Sequence, residues 1–253
     1  MFLFVFCLLA TATFSQPTII AHRGASDLAP ENTVASAKLA WELGTDAVEL
    51  DVYLSADNRV MVIHDKNTRR TAGEKLDVAT SESADLRKLD VGKWKNEKYT
   101  GEKIPFLAEM IETIPEGKTL VVEIKCGSEV LPAIKKAVEA SGKQNQITFI
   151  AFGWETILDT KKQFPDNPCY WLSSTKRGLT QKMEEASELG LDGVNLNSKI
   201  IDEEVMNLAN KLNLDMLCWT VDDLVEAKRL AKLGVLGITT NRPAWLKKQL
   251  AQD

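Results

Sequence analysis

From Thr18 onward the chain alternates short β-prone runs with amphipathic segments, and it does so eight times. The β-prone runs fall at 18–21, 46–52, 119–125, 146–151, 169–173, 192–195, 215–220 and 235–239. The segments that follow, at 30–43, 106–114, 129–141, 154–164, 178–189, 202–212, 222–233 and 243–250, carry apolar residues at helical spacing. Regular βα alternation implies parallel strands with right-handed crossovers, since each helix returns the chain to the start of the next strand. Eight such units predict an α/β chain closed into a (β/α)8 TIM barrel, with a doubly wound open sheet as the runner-up. The 253 residues suit one such domain. A polar stretch at about 66–105 breaks the alternation after the second barrel strand. A structureless loop of that length is rare inside a compact domain, so this insertion is expected to hold short helices and turns that cap the barrel as a lid.

The most informative run is DAVELDVYLSADNRVMVIHD, from Asp46 to Asp65. Val48, Leu50 and Val52 alternate with Glu49 and Asp51, which puts the two carboxylates on one face of a strand. Their β-carbons are then about 7 Å apart, close enough to converge on one hard cation. A solvated polar face is the bland alternative, and it fits poorly in a parallel barrel, where both faces are covered. A turn at Ala56-Asp57-Asn58 and a second β-prone run at 60–63 follow, delivering His64 and Asp65.

In a barrel of this kind the active site lies at the C-terminal strand ends. His22 and Arg23 end the first strand, Glu49 and Asp51 the second, Glu123 and Lys125 the third, and Trp219 the seventh. Glu123 and Lys125 share a face by the same alternation, in LVVEIK. The chain has only two histidines, His22 and His64, and both fall at this mouth beside the carboxylates. Glu49, Asp51 and Glu123 could instead be paired with Arg23 and Lys125 as interior structure, although buried charge is costly unless paired or metal-bound. Three carboxylates without cysteine or a further histidine describe a site for one divalent cation, Mg²⁺ or Ca²⁺ rather than zinc. A cation, a guanidinium, an ammonium and two imidazoles together suit a phosphodiester.

Composition excludes several other classes. The net charge of −5 gives no general attraction to nucleic acid. No P-loop or dinucleotide fingerprint occurs. The first fifteen residues, MFLFVFCLLATATFS, are uncharged and too short an apolar run to span a bilayer comfortably. They read as a signal peptide at 1–15, with Thr13 and Ser15 as small residues before a cleavage at Gln16, although the usual basic start is missing. The expectation is an exported protein, periplasmic or extracellular, with no stable membrane span in its mature chain. Cys126, Cys169 and Cys218 then remain, too few for a disulfide framework, and they read as buried structural thiols.

Taken in order, AHRG at Ala21, PENT at Pro30, ELDV at Glu49, IHD at Ile63, VEIK at Val122, WTV at Trp219 and GITTNRP at Gly237 resemble the glycerophosphodiester phosphodiesterase family. The resemblance runs from Ile19 to Pro243. It implies a barrel enzyme that cleaves a small-molecule glycerophosphodiester, such as glycerophosphocholine or glycerophosphoethanolamine, into glycerol 3-phosphate and an alcohol. It implies His22 and His64 as the acid/base pair, Glu49, Asp51 and Glu123 as metal ligands, and Arg23 and Lys125 as phosphate-binding residues. Asp65 would orient its neighbouring histidine, and Trp219 would form a wall of the glycerol pocket. Cys126 and Asn241 lie where the family pattern varies.

The mechanism expected is attack on phosphorus by the glycerol 2-hydroxyl, one histidine taking its proton while the other protonates the departing alcohol. Water then opens the cyclic phosphate. Which histidine is the base is not read from sequence, and direct attack by water is the simpler alternative. Two rival readings are a phospholipase C-like lyase that stops at the cyclic phosphate and a non-catalytic phosphoglycerol-binding protein. The expected exported location leans the ion toward Ca²⁺.

Overall fold

In the computed structural model, which describes residues 16–252, the strands are β1 (Thr18–Ala21), β2 (Ala47–Leu54), β3 (Val60–Val62), β4 (Thr119–Ile124), β5 (Ile147–Ala151), β6 (Cys169–Ser173), β7 (Gly193–Asn197), β8 (Asp215–Trp219) and β9 (Gly237–Thr240). Eight of them pair in parallel in the ring β1-β2-β4-β5-β6-β7-β8-β9, which closes back onto β1. The (β/α)8 barrel is therefore present. The run expected at 60–63 is a ninth strand, β3, which pairs antiparallel with β2 as a hairpin and stands outside the ring. The expected signal peptide lies outside the described residues.

The helices are α1 (Val34–Glu42), α2 (Arg69–Ala72), α3 (Ser83–Leu86), α4 (Leu107–Glu112), α5 (Leu131–Ser141), α6 (Trp154–Gln163), α7 (Leu179–Glu188), α8 (Glu203–Lys211), α9 (Leu224–Leu233) and α10 (Pro243–Leu250). No helix among the described residues is long and apolar enough to cross a membrane. At the start of α1 Thr33 is the N-cap: its hydroxyl accepts from the Ser36 N–H while Ser36 Oγ accepts from the Thr33 N–H. Asn32 has another task, described below.

Alternation within the strands sorts the interior into two cores. Val48, Leu50 and Val52 of β2 face outward and pack with helix residues such as Ala37, Met110 and Ile134. Truncating Leu50 to alanine there would cost about 2–5 kcal/mol, the usual range for an aliphatic core cavity. The inward faces first carry an apolar plug that includes Ile20, Ala47, Val121, Ile150, Tyr170, Leu172 and Leu217. One or two alternations further along the strands, the inward residues become polar yet stay buried: Glu49, Asp51, Glu123, Asn195 and Thr239. The barrel thus changes character toward the C-terminal ends of its strands.

The 66–105 insertion has a small core of its own, in which Val78, Leu86, Val91 and Ile104 pack on Met61 and Ile63. It is tied down on two sides. Lys95 Nζ donates to the Ser26 carbonyl at 2.6 Å, and the Arg87 guanidinium clamps the Glu109 carboxylate at 2.6 and 2.9 Å. These contacts make it a packed rim of the mouth. Cys126, Cys169 and Cys218 are unpaired; Cys169 and Cys218 are buried as expected, whereas Cys126 is only partly covered, and burial pushes the Cys169 thiol up to about 12.

Candidate active site

The loop after β1 is bent by two successive left-handed residues, Arg23 at φ +57° and Gly24 at φ +81°. Glycine adopts this conformation freely; for arginine it is uncommon. Its consequence is local: the Arg23 backbone N–H donates to Glu49 Oε2 at 2.9 Å. Asn32 is left-handed too, at φ +57°, which asparagine tolerates. Its amide grips Asp51 twice, Nδ2 donating to Asp51 Oδ2 at 2.8 Å and Oδ1 accepting from the Asp51 N–H at 3.2 Å.

Parallel register sets Asp51 beside Glu123 on adjacent strands, two residues beyond Glu49. One oxygen from each of Glu49, Asp51 and Glu123 lies within 4.8 Å of the others. Two cations face this triad. Lys125 Nζ is 2.8 Å from Glu123 and 3.5 Å from Asp51, and Arg23 Nε is 3.4 Å from Asp51. The ion pairs expected of interior structure are thus present, yet they leave the triad incompletely satisfied. Glu49 Oε1 and Asp51 Oδ1 are buried without any hydrogen-bond donor. Burial and repulsion from Asp51 and Glu123 hold the Glu49 carboxyl well above its ordinary value, and burial with Asp51 pushes Glu123 up to about 7. A buried, acceptor-only cluster with free oxygens is chemistry that a hard divalent cation completes.

His22 follows β1, and its backbone is held by the Thr240 carbonyl of β9 at 2.9 Å. Its Nδ1 is 2.7 Å from Asn241 Oδ1. The Asn241 amide has a fixed orientation, because its Nδ2 donates to Asp222 Oδ2 at 2.6 Å. The imidazole must therefore donate from Nδ1, leaving Nε2 as the acceptor. Burial and the neighbouring Arg23 charge hold this histidine below its ordinary value.

His64 stands after the β3 hairpin. Its Nδ1 lies 2.6 Å from Asp65 Oδ1, and its Nε2 lies 3.3 Å from Lys125 Nζ. Asp65 is gripped in turn by Arg70 of α2, at 2.7 Å from Nε and 3.3 Å from Nη2. The same guanidinium forks onto both oxygens of Glu31 at 2.8 Å, and Glu31 accepts from Arg23 Nη1 at 2.9 Å. A continuous polar chain thus links His64 through Asp65, Arg70 and Glu31 to Arg23. Although burial opposes it, Arg70 holds both Glu31 and Asp65 down at about 2, helped by Arg23 and His64 respectively.

A cavity of about 100 Å³ collects His22, Arg23, Glu49, His64, Glu123, Lys125 and Trp219, with Phe152, Leu172, Asn195 and Thr239 among its other walls. The sequence-predicted site residues therefore gather at one mouth; Asp51 completes the triad and Asp65 backs His64. Phe152 meets Trp219 edge-to-face at 5.5 Å, giving an aromatic wall. A larger groove beside α9 holds Asp202, Asp222 and Glu226, but these carboxylates are committed to Lys176, Asn241 and Arg229. Sequence reasoning gave no site role to Glu31, Asn32, Arg70, Asn195, Asp222 or Asn241. PENT and GITTNRP do contain Glu31, Asn32 and Asn241, and the alternation in GVNLN turns Asn195 inward.

Comparison with known proteins follows the same lines. A profile described as the Glycerophosphoryl diester phosphodiesterase family matches residues 22–245. A glycerophosphodiester phosphodiesterase of Caldanaerobacter subterraneus subsp. tengcongensis is 34% identical over 233 residues, covering 90% of this chain and 95% of that protein. The structure of a phosphodiesterase from Oleispira antarctica, in complex with the product sn-glycerol-3-phosphate, is 28% identical with a TM-score of 0.87 over 93% of this chain and 97% of that one. A glycerophosphodiester phosphodiesterase from Thermotoga maritima, 22% identical, shares the fold with a TM-score of 0.78 over 93% of this chain and 99% of that one.

Proposed function

Since the chain belongs to the glycerophosphoryl diester phosphodiesterase family and is an enzyme of that activity, we propose that it hydrolyses glycerophosphodiesters to glycerol 3-phosphate and an alcohol, using one divalent cation and the pair His22 and His64. The observation that carries this reading is the triad: three carboxylates with oxygens within 4.8 Å, two of them with a buried oxygen that accepts no hydrogen bond, in a pocket lined by two imidazoles. The glycerol 3-phosphate bound by the Oleispira antarctica relative supports the same product class.

Glu49, Asp51 and Glu123 would hold the cation, which supplies Lewis-acid polarisation and charge compensation at the phosphoryl group. The all-oxygen donor set suits Mg²⁺ or Ca²⁺. Arg23 and Lys125 draw in the phosphodiester; the opposed carboxylates keep the Lys125 ammonium charged despite its burial. His22 is the base. Its partner Asn241 is neutral, its pKa is lowered by burial and by Arg23, and Nε2 is the free acceptor, so it takes the proton of the glycerol 2-hydroxyl as that oxygen attacks phosphorus. His64 is the acid that protonates the leaving alcohol: Asp65 at its Nδ1 fixes the ring so that Nε2 faces the pocket beside Lys125. A cyclic phosphate forms, and water opens it with the two roles reversed.

The test is glycerol 3-phosphate release from glycerophosphocholine and glycerophosphoethanolamine, using chelator-stripped protein with Mg²⁺, Ca²⁺ or no metal returned. Metal-dependent release is expected, and the more effective ion identifies the resident one. Accumulation of a cyclic phosphate without glycerol 3-phosphate would replace hydrolysis by the lyase reading; metal-dependent binding without any product would make the protein a binding module.

A further inference from the structure

Among the described residues, four buried side-chain polar atoms lack a hydrogen-bond partner: Arg23 Nε, Glu49 Oε1, Asp51 Oδ1 and Asn195 Oδ1. The first three belong to the cluster that would bind the cation and phosphate. The fourth stands apart from it. β7, which carries Asn195, is four strands from β2 in either direction around the eight-membered ring, so this amide faces the carboxylates across the barrel mouth. It is 1% exposed.

Its surroundings provide no protein donor. The register neighbours of Asn195 are Leu172 on β6 and Leu217 on β8, both part of the apolar plug. The nearby Trp219 indole N–H is already spent on the Asn195 main-chain carbonyl at 3.1 Å. A lone amide set in an apolar pocket wall fixes the orientation of a ligand by pairing with one of its polar groups. An acceptor oxygen asks for a donor, and Asn195 lines the same cavity of about 100 Å³ as the two imidazoles. A small polar group such as glycerol suits a recess of that size.

We propose that Asn195 is a specificity residue that accepts a hydrogen bond from the terminal hydroxyl of the substrate's glycerol, an inference that rests on the hydrolytic reading above. With phosphorus at Arg23 and Lys125, and the 2-hydroxyl beside the reacting centre, the terminal hydroxyl is the part of the glycerol that reaches furthest across the mouth. The leaving alcohol departs toward solvent, away from a fully covered position. Asn195 is also neutral, which suits a hydroxyl better than it suits a cationic headgroup.

The test compares glycerophosphocholine with the choline phosphodiester of propane-1,2-diol, which keeps the 2-hydroxyl and lacks only the terminal one. Wild-type metal-loaded enzyme should prefer the former by about 10–100-fold in kcat/KM, because a site built to pair with a hydroxyl is left unpaired by the analogue. In Asn195→Leu, which keeps the side chain's size and removes its acceptor, that preference should collapse to within about twofold. Asn195→Ala reads the same ratio should the leucine variant fail to fold. An equal loss on both substrates, with the preference intact, would overturn the proposal and make Asn195 a matter of pocket shape. Glycerol 3-phosphate release by the wild type in the same assay checks the hydrolytic reading separately; without it both readings fall.

Discussion

The two histidines rest on different kinds of support. His22 emerges from β1, a member of the closed ring, and leans on a neutral amide, Asn241, just after β9, which Asp222 holds from the loop before α9. His64 emerges from a hairpin outside the ring, is 31% exposed in its side chain, and leans on an anion, Asp65, which Arg70 holds from the insertion. One half of the acid/base pair is thus positioned by barrel closure, the other by the docking of a lobe. The chemistry differs in the same sense. A neutral acceptor and burial leave His22 a base, whereas the ring of His64 is oriented by a carboxylate. Arg70 joins the two halves, since its hold on Glu31 reaches Arg23, the neighbour of His22.

The largest effects come from removing either ring. His22→Ala and His64→Ala should each lower turnover by about 10²–10⁴-fold, the usual worth of a positioned acid or base, with an unchanged circular dichroism spectrum. If either variant kept most of its activity, the pairing itself would fail. A finer test converts one kind of support into the other. Exchanging the partner of His22 with the carboxylate behind it, Asn241→Asp together with Asp222→Asn, keeps the hydrogen-bonded shape and places an anion against Nδ1. A base works only when unprotonated, so raising its proton affinity moves the acidic fall of kcat/KM upward, by about one pH unit for a carboxylate at hydrogen-bond distance. A stationary limb would assign that titration to another group and take the base role from His22.

The parts legible in the sequence are those set by local periodicity. In β2 and β4, carboxylates alternate with Val, Leu and Ile, so strand geometry alone brings Glu49, Asp51 and Glu123 to one face. The supporting residues depend on contacts that no local pattern records. Asn241 meets His22 across 219 positions of chain, and only closure of β9 onto β1 makes them neighbours. Asn32 and Thr33 are both residue types that cap helices; Thr33 takes that role, while the left-handed backbone of Asn32 turns its amide onto Asp51. Asn195 is hidden by a boundary. The polar Asn195 and Asn197 suggest that the strand stops early, whereas β7 continues to Asn197 because its outward Val194 and Leu196 are in the core. Arg70 sits in the aperiodic insertion, where the sequence assigns no face to any side chain.

Arg70→Met, which keeps the stem and removes the fork, gives the smallest and most discriminating effect. Turnover should fall about tenfold as Asp65 and its histidine lose their anchor, a loss expected of misplacement rather than of removed chemistry. The response to added metal should be unchanged, since Arg70 touches none of the triad. Stability reports on the same contact. Glu31 and Asp65 are held at about 2 in the folded protein, against about 4 for such carboxylates in an unfolded chain. A group whose value falls on folding stabilises the fold at pH above its unfolded value, and that stability is lost as pH drops toward the folded value. The parent's advantage over Arg70→Met should therefore be full above about pH 5 and shrink toward about pH 2. Arg70 is 43% exposed, so solvent screening limits the advantage to about 1 kcal/mol, measurable by denaturant unfolding at two pH values. An advantage that does not vary with pH would mean that Arg70 holds the lobe by packing. The lobe would then place His64 sterically, and the contrast between the two histidines would be one of anchorage rather than of charge.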